Sequence, residues 1–162
     1  MLKLNVQIDK ESLEEKPNKS KTIMVSGRIT DVIWNVSVEE LAHIVGNKGH
    51  TFLPAVLDGV RDAKHFVSQK IFALDFDGKI SLEEFWDRAK KYEILPAFIY
   101  ETLTSSEETF KFRAVFINDI TVQDIKVAQQ LDLPYVNLHP RLKILFDHSK
   151  DVNKYHTRVH LY

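Results

Sequence analysis

A stretch in the middle of the chain decides the fold: Lys70-Ile71-Phe72-Ala73-Leu74-Asp75-Phe76-Asp77-Gly78. A short apolar run that ends near a glycine is typical of a strand buried on both faces. Residues i and i+2 of a strand point to the same side, so we expect Asp75 and Asp77 to share one face at the end of their strand. Two carboxylates this close repel each other and require a cation or a shared proton. The stretch therefore predicts a metal site, with a solvent-facing turn as the alternative.

Two known sequence patterns contain a similar line. An EF-hand calcium loop would place Asp75, Asp77 and Glu84 at its third, fifth and twelfth positions. Its first position would then be Ala73, which has no ligand oxygen, and a strand-like run precedes the acids where an EF-hand needs a helix. The second pattern is the nucleophile motif of haloacid dehalogenase-like phosphatases, in which Lys79 stands where the motif has threonine.

The composition limits the class of protein. The chain has 162 residues, 44% of them hydrophobic, which suits one globular domain. Its 22 basic and 23 acidic residues nearly balance, so the net charge gives no indication of a nucleic-acid partner. The absence of cysteine excludes disulfides, a thiol nucleophile and a cysteine-bound zinc site. No apolar run suits a membrane span and no signal-peptide core begins the chain, so we expect a cytoplasmic protein without a membrane partner.

The pattern of apolar residues predicts an α+β fold in one compact unit. Residues 1–8 alternate as a half-buried strand does, residues 9–21 form a polar loop, and residues 22–25 return as a second strand. These elements make residues 1–36 an N-terminal hairpin or extension. Residues 37–162 then form the main domain.

Helix starts in the main domain are marked by capping residues. Ser37-Val-Glu-Glu40 is a capping box, in which Ser37 caps the helix and Glu40 reaches back to it. Ser81 opens a second helix directly after the Asp-x-Asp strand, and Thr121 is predicted to cap a third. The carboxylates of Glu83 and Glu84 fit the first turn of the second helix, where the helix dipole favours them.

Two further strands follow the second helix. Residues 96–100 and 112–117 are apolar runs joined by the polar loop 104–109, which predicts a hairpin. The resulting order is strand, helix, strand, strand, helix. This order predicts an RRM-like split βαβ arrangement, an open sheet with flanking helices. A last apolar run, residues 142–146, is followed by Asp147 in a predicted turn. Asp147 would be a third carboxylate.

The order of these segments resembles the archaeo-eukaryotic primase superfamily, in particular the primase-polymerase domains of plasmids and phages. The matching segments are a lead-in, an Asp-x-Asp strand, a central hairpin and a last acidic turn. They lie at residues 38–59, 72–77, 96–106, 111–116 and 146–151, followed by Arg158. The resemblance covers about residues 37–162.

The resemblance implies a site for a nucleotide and metal ions. Asp75, Asp77 and Asp147 would be the catalytic residues and the ligands of Mg²⁺ or Mn²⁺. Hard carboxylate oxygens are the ligands that Mg²⁺ prefers. The residues implied to bind the nucleotide are Ser105, Ser106, Arg113, Lys150 and Arg158. For Arg113, an ion pair with an acid on a neighbouring strand is the alternative.

The function implied is a DNA primase or polymerase, a nucleotidyltransferase that acts in the replication of a mobile element. Its partners would be an NTP or dNTP and a single-stranded DNA template. Such domains usually continue beyond the third motif, so we expect a domain truncated after Tyr162 or a separate helicase or replication-initiator partner. The middle motif of the superfamily usually ends in histidine, and no histidine lies between Tyr100 and Arg113.

Two alternatives stay open. One is a haloacid dehalogenase-like phosphatase, with Asp75 as nucleophile, Asp77 as general acid/base, and Asp147 and Asp151 as metal ligands. The other is a non-catalytic, primase-like domain that binds nucleotides, since the motif histidine is missing.

Overall fold

The protein is an α+β fold, as predicted from the sequence. The computed structural model describes residues 2–78, 80–132 and 156–160, with the backbone alone for residues 129–132 and 156–160. This part of the chain forms two antiparallel sheets, one of them a curled half-barrel, with four short α-helices.

The first sheet has three strands in the order β2-β1-β3. The central strand is β1 (Lys3–Ser12), and its neighbours are β2 (Ile33–Ser37) and β3 (His50–Leu53). Helix α1 (Lys19–Arg28) connects β1 to β2. The capping box predicted at Ser37 is confirmed and opens α2 (Val38–Ala42), which one π-helical turn extends toward β3.

The prediction of a strand at residues 22–25 is wrong, since these residues lie in α1. The side chain of Asn18 caps the helix by accepting a hydrogen bond from the Lys21 amide, and the helix buries Val25 and, just beyond its end, Ile29 against Leu53. The polar loop is also shorter than the predicted residues 9–21, since β1 ends at Ser12 and α1 begins at Lys19. Strand β1 continues through the fully buried Asp9 because the Arg28 guanidinium binds both of its carboxylate oxygens, at 2.6 and 2.9 Å.

The second sheet has five strands in the order β4-β5-β7-β6-β8. Its strands are β4 (Ala55–Leu57), β5 (Phe66–Asp77), β6 (Phe98–Thr102), β7 (Lys111–Val122) and β8 (His156–His160). Helix α3 (Leu82–Lys91), capped by Ser81 as predicted, connects β5 to β6. Since β7 lies between these two strands and is antiparallel to both, β5 and β6 are parallel with a strand inserted between them.

The last predicted helix begins later than its sequence suggested. Thr121 lies in β7, whose final residue Val122 still pairs with Gln69 of β5. Helix α4 (Ile125–Asp132) starts after Asp124, whose side chain accepts a hydrogen bond from the Lys126 amide at 2.7 Å. A carboxylate is a strong helix cap, so Asp124 takes the role predicted for Thr121 while the sheet pairing retains Thr121.

Strand β5 separates two hydrophobic clusters. On one side, which we call the inner face, Ile71 and Ala73 pack with residues of the first sheet, including Val6 and Phe52. On the opposite side, which we call the helix face, Phe76 packs with residues of α3 and β7. The ring of Phe76 stacks on Phe112 at 4.8 Å and meets the edge of Phe85 at 5.1 Å between centroids. The alternation along β5 thus buries both faces, as the apolar run predicted.

A buried glutamine links the two sheets. The Gln7 side chain lies on β1, and its amide nitrogen donates to the carbonyls of Leu57 and Thr30 at 2.8 and 3.0 Å. Its amide oxygen accepts a hydrogen bond from the Leu57 amide at 2.9 Å. Because Gln7 lies on β1 of the first sheet and Leu57 on β4 of the second, these side-chain hydrogen bonds connect the two sheets.

The turn after β5 requires glycine. Gly78 has a φ of +74°, and a Cβ at this position would lie 2.5 Å from the methyl carbon of Thr109. We expect Gly78→Ala to lower the free energy of unfolding by about 2 kcal/mol, because the left-handed conformation costs an L-residue about 1–2 kcal/mol and the contact adds to it. Chemical denaturation measures the difference.

Gly59 provides the matched control for this substitution. Its φ is +69°, but nothing lies within 4 Å of the position that a Cβ would occupy. Gly59→Ala should therefore cost the backbone contribution alone. In the Gly78→Ala background, Thr109→Ser removes the methyl group. It should therefore restore the part of the stability loss by which Gly78→Ala exceeds Gly59→Ala. Equal losses at Gly78 and Gly59 would contradict a role for the Thr109 contact.

Candidate functional site

The two acids of the Asp-x-Asp stretch lie at the end of β5, as predicted. They alternate with the residues of the helix face and therefore follow Ile71 and Ala73 on the inner face. Directly opposite them in β7 stand two cations: Arg113 pairs in register with Asp75, and Lys111 pairs with Asp77. We call Asp75, Asp77, Lys111 and Arg113 the charge ladder.

The inner step of the ladder is a buried, bidentate ion pair. Arg113 Nε and Nη2 donate to the two oxygens of Asp75 at 2.5 and 2.6 Å. The side chains are only 11% and 9% exposed, so water screens the pair weakly. Parallel N–H···O bonds of this kind are the strongest that a carboxylate makes with a side chain. In this structure both oxygens of Asp75 are therefore occupied by Arg113.

Tyr100 borders the same pair from β6. Its hydroxyl oxygen accepts a hydrogen bond from Arg113 Nη1 at 3.4 Å, and the side chain is fully buried. Burial raises the pKa of the Tyr100 hydroxyl far above its usual value, against the opposing effect of the Arg113 charge. Tyr100 is therefore neutral at physiological pH, and its hydroxyl fixes the outer edge of the guanidinium.

The charge of Arg113 persists despite its surroundings. Burial acts to lower the pKa of Arg113, but the Tyr100 oxygen and the Asp75 carboxylate together outweigh burial and raise this pKa above its ordinary value. A guanidinium in this position is permanently charged. The inner step of the ladder therefore always contains a cation.

The outer step of the ladder is open to solvent. Lys111 Nζ lies 3.8 Å from an oxygen of Asp77, and the two side chains are 27% and 46% exposed. A pair with this separation and exposure is weak, on the order of 0–1 kcal/mol. An ion or phosphate group approaching the end of β5 would therefore meet Asp77 and Lys111 before it meets the inner step.

The two serines predicted to bind nucleotide shape the loop before β7. Ser105 Oγ accepts a hydrogen bond from the Lys111 amide at 3.0 Å, and Ser106 Oγ accepts one from the Thr109 amide at 3.1 Å. The Ser105 bond brings this hydroxyl next to the start of the ladder. In each case the oxygen accepts, so the hydroxyl hydrogen can still be donated to an anion.

The remaining predicted site residues lie beyond what the structure describes. Asp147 and Lys150 fall outside the described residues, as do His148 and Asp151. Arg158 belongs to β8, which pairs with β6 so that Val159 stands opposite Tyr100, but its side chain is outside the described part. The third carboxylate and two of the cations of the implied site are therefore predictions.

The described carboxylates do not gather into a metal cluster by themselves. Among the side chains that the structure describes, those of residues 2–78 and 80–128, no group of three or more His, Asp or Glu is arranged to hold an ion. The donor type is nevertheless suitable, since the hard oxygens of Asp75 and Asp77 are those that Mg²⁺ and Mn²⁺ prefer.

Sequence reasoning missed two members of the site, Lys111 and Tyr100. A signal for Lys111 was present, because Lys111 and Arg113 repeat in β7 the i, i+2 spacing of the two acids in β5. The two acids and the two bases have the same spacing and lie on strands predicted to be neighbours. This pattern indicates an antiparallel register in which each acid faces a base. For Tyr100 the sequence holds no such signal, because its neighbours are apolar and its role depends on burial.

Comparison with known proteins finds no matching family model, no matching curated protein and no matching solved structure. Among the described helices, none combines the length and apolar character needed to span a bilayer.

Proposed function

We propose that this chain is a primase-polymerase-like domain of the archaeo-eukaryotic primase superfamily, a nucleotidyltransferase that transfers a nucleotide to a template-directed 3′-hydroxyl. The observation that carries the proposal is the register of β5 and β7, which sets Asp75 and Asp77 opposite Arg113 and Lys111 on one face. Carboxylates suit a divalent ion and cations suit phosphate oxygens. Both halves of a metal–nucleotide complex therefore have counterparts at the end of β5.

The fold is compatible with this proposal. Strand β7 lies between β5 and β6, with α3 in the connection, and this order supports the split βαβ element that we propose for the sheet. The acids stand at the end of β5, the first strand of this element in chain order. The loop that carries Ser105 and Ser106 joins the other two strands and contacts the turn at Gly78 through Thr109.

In the proposed reaction Asp75, Asp77 and Asp147 hold Mg²⁺ or Mn²⁺. When bound, such ions would activate the attacking hydroxyl and neutralise the charge of the leaving phosphates. Arg113 and Lys111 bind the negative oxygens of the triphosphate, and the planar guanidinium can bind two of them at once. Ser105 and Ser106 donate their hydroxyl hydrogens to the same group. Lys150 and Arg158 are the further nucleotide ligands that the superfamily resemblance implies.

A second candidate function is a non-catalytic domain that binds nucleotides. The bidentate pair of Arg113 and Asp75 favours it, because both oxygens of a predicted metal ligand are engaged. The lack of a histidine between Tyr100 and Arg113 points the same way. The phosphatase alternative has no such observation in its favour, since its nucleophile would be the same engaged carboxylate.

Nucleotide incorporation on a primed, single-stranded DNA template with Mg²⁺ or Mn²⁺ tests the proposal. We expect metal-dependent extension, reduced about 100-fold or more in Asp77→Asn and Asp147→Asn, because each substitution would weaken the binding of metal ions that stabilise charge in the transition state. Asp77 is the informative position because its exposed side chain contributes little to stability. Its variant separates catalysis from folding.

Asp87→Asn is the matched control, since Asp87 is an exposed acid on α3 and lies outside the charge ladder. It should extend primers like the unmodified protein. Absence of products together with metal-dependent NTP binding would favour the non-catalytic candidate. Absence of both products and binding would overturn the proposal and its alternative together.

A further inference from the structure

The inner step of the charge ladder resists either ligand alone. A divalent cation that takes the oxygens of Asp75 must displace Arg113 and leave a guanidinium buried without its counter-charge. An anion that takes the guanidinium of Arg113 must likewise displace Asp75 and leave a buried carboxylate unpaired. Removing one partner from a buried ion pair is strongly unfavourable. Both separate binding events therefore carry this penalty.

A metal–nucleotide complex avoids the penalty. Its cation replaces Arg113 at the Asp75 carboxylate while its phosphate oxygens replace Asp75 at the guanidinium, so each buried charge exchanges one partner for another. The outer step, formed by Asp77 and Lys111, offers the same two signs of charge and is exposed enough to receive the complex first. Tyr100 is neutral and fully buried beside the guanidinium, so it does not compensate either charge.

We infer that the Asp75–Arg113 ion pair separates only when a divalent cation and a triphosphate bind together, and we call this ion pair the lock. The two binding events are therefore coupled. This inference rests on the proposed function and specifies the form in which the substrate binds. Coupling is reciprocal: whatever factor the nucleotide adds to metal affinity, the metal adds to nucleotide affinity. The closed pair also keeps the site electrically neutral when no nucleotide is present.

The first test uses Mn²⁺ alone, measured by electron paramagnetic resonance of the unbound ion. Replacing Arg113 by methionine leaves Asp75 without its cation, so Arg113→Met should bind Mn²⁺ at least tenfold more tightly than the unmodified protein. That factor lies within the range of about 5- to 150-fold that is typical of coupled sites. Unchanged Mn²⁺ affinity in a folded Arg113→Met variant would overturn the lock and leave the proposed function intact.

Arg28→Met is the matched control for this measurement. Arg28 also makes a buried, bidentate pair, with Asp9 of the first sheet, so its loss perturbs stability in a similar way. Its Mn²⁺ affinity should remain that of the unmodified protein. An equal gain in both variants would overturn the inference, because the gain would then follow from any lost pair.

A second test needs no variant and so does not depend on how Arg113→Met folds. The Arg113 Nε–H signal is followed by ¹⁵N nuclear magnetic resonance with Mg²⁺, with a nonhydrolysable triphosphate analogue, and with both. We expect the signal to move only with both. Movement with either ligand alone, or no movement while calorimetry shows the ternary complex, would overturn the lock. If calorimetry shows no ternary complex, the proposed function fails as well.

Discussion

We expect Asp75→Asn to lower the free energy of unfolding by about 3–5 kcal/mol, the usual cost of removing one partner from a buried ion pair. The asparagine side chain retains the shape of aspartate but not its charge. Arg113 then stays buried without the Asp75 charge, beside the Tyr100 hydroxyl and a neutral amide. Equilibrium denaturation in urea, monitored by the far-ultraviolet circular dichroism, measures the loss.

A double substitution distinguishes the lost charge from lost packing. Asp75→Leu combined with Arg113→Met replaces both charges by apolar groups, and such replacements are often neutral or stabilising. We expect the double variant to recover most of the loss. Asp77→Asn, at the exposed outer step, should cost less than about 1 kcal/mol. A double variant as unstable as Asp75→Asn would show that the ion pair itself stabilises the fold.

We expect Gln7→Leu to lower the free energy of unfolding by about 2–4 kcal/mol, since each buried polar group left without its partner costs about 1–3 kcal/mol. The substitution removes the partner of the Leu57 amide, the Leu57 carbonyl and the Thr30 carbonyl. These groups lie where β1 meets β4, so their loss weakens the contact between the two sheets. Denaturation in urea gives the change, and hydrogen exchange of the Leu57 amide locates it.

Asn5 is the matched control on the same strand. Its side-chain oxygen accepts a hydrogen bond from Asn35 at 2.8 Å across β1 and β2, but this bond is exposed to solvent. Asn5→Ala should cost less than about 1 kcal/mol, as for other exposed cross-strand pairs. If Asn5→Ala and Gln7→Leu cost the same, the role assigned to the buried glutamine is wrong.

Helices and strands with strong local signals were predictable from the sequence. The capping residues Ser37 and Ser81 mark their helices correctly, because a cap is a contact between residues three positions apart. The strand that ends at Asp77 is also correct. The strand predicted at residues 22–25 fails because a run of Thr, Ile, Met and Val suits either state. At these residues the Asn18 cap and the packing of Val25 and Ile29 against Leu53 favour the helix.

The candidate site was predictable in part. The placement of Asp75 and Asp77 on one face follows from the geometry of a strand alone. From the sequence, Arg113 could form a cross-strand ion pair or bind phosphate. The register of β5 against β7 gives the ion pair in this structure. Tyr100 was not predictable, because its contact with Arg113 depends on how β6 and β7 pair.

Local chemistry determines the elements of this protein, and long-range pairing determines their partners. The order of amino acids was enough to predict the apolar strand, its two acids, the helix caps and the polar loop at residues 104–109, since each depends on neighbours within a few residues. Two contacts became known from the folded structure: Arg113 binds both oxygens of Asp75, and Gln7 joins the sheets. These contacts join residues 38 and 50 positions apart, and burial sets their strength, which no local pattern contains.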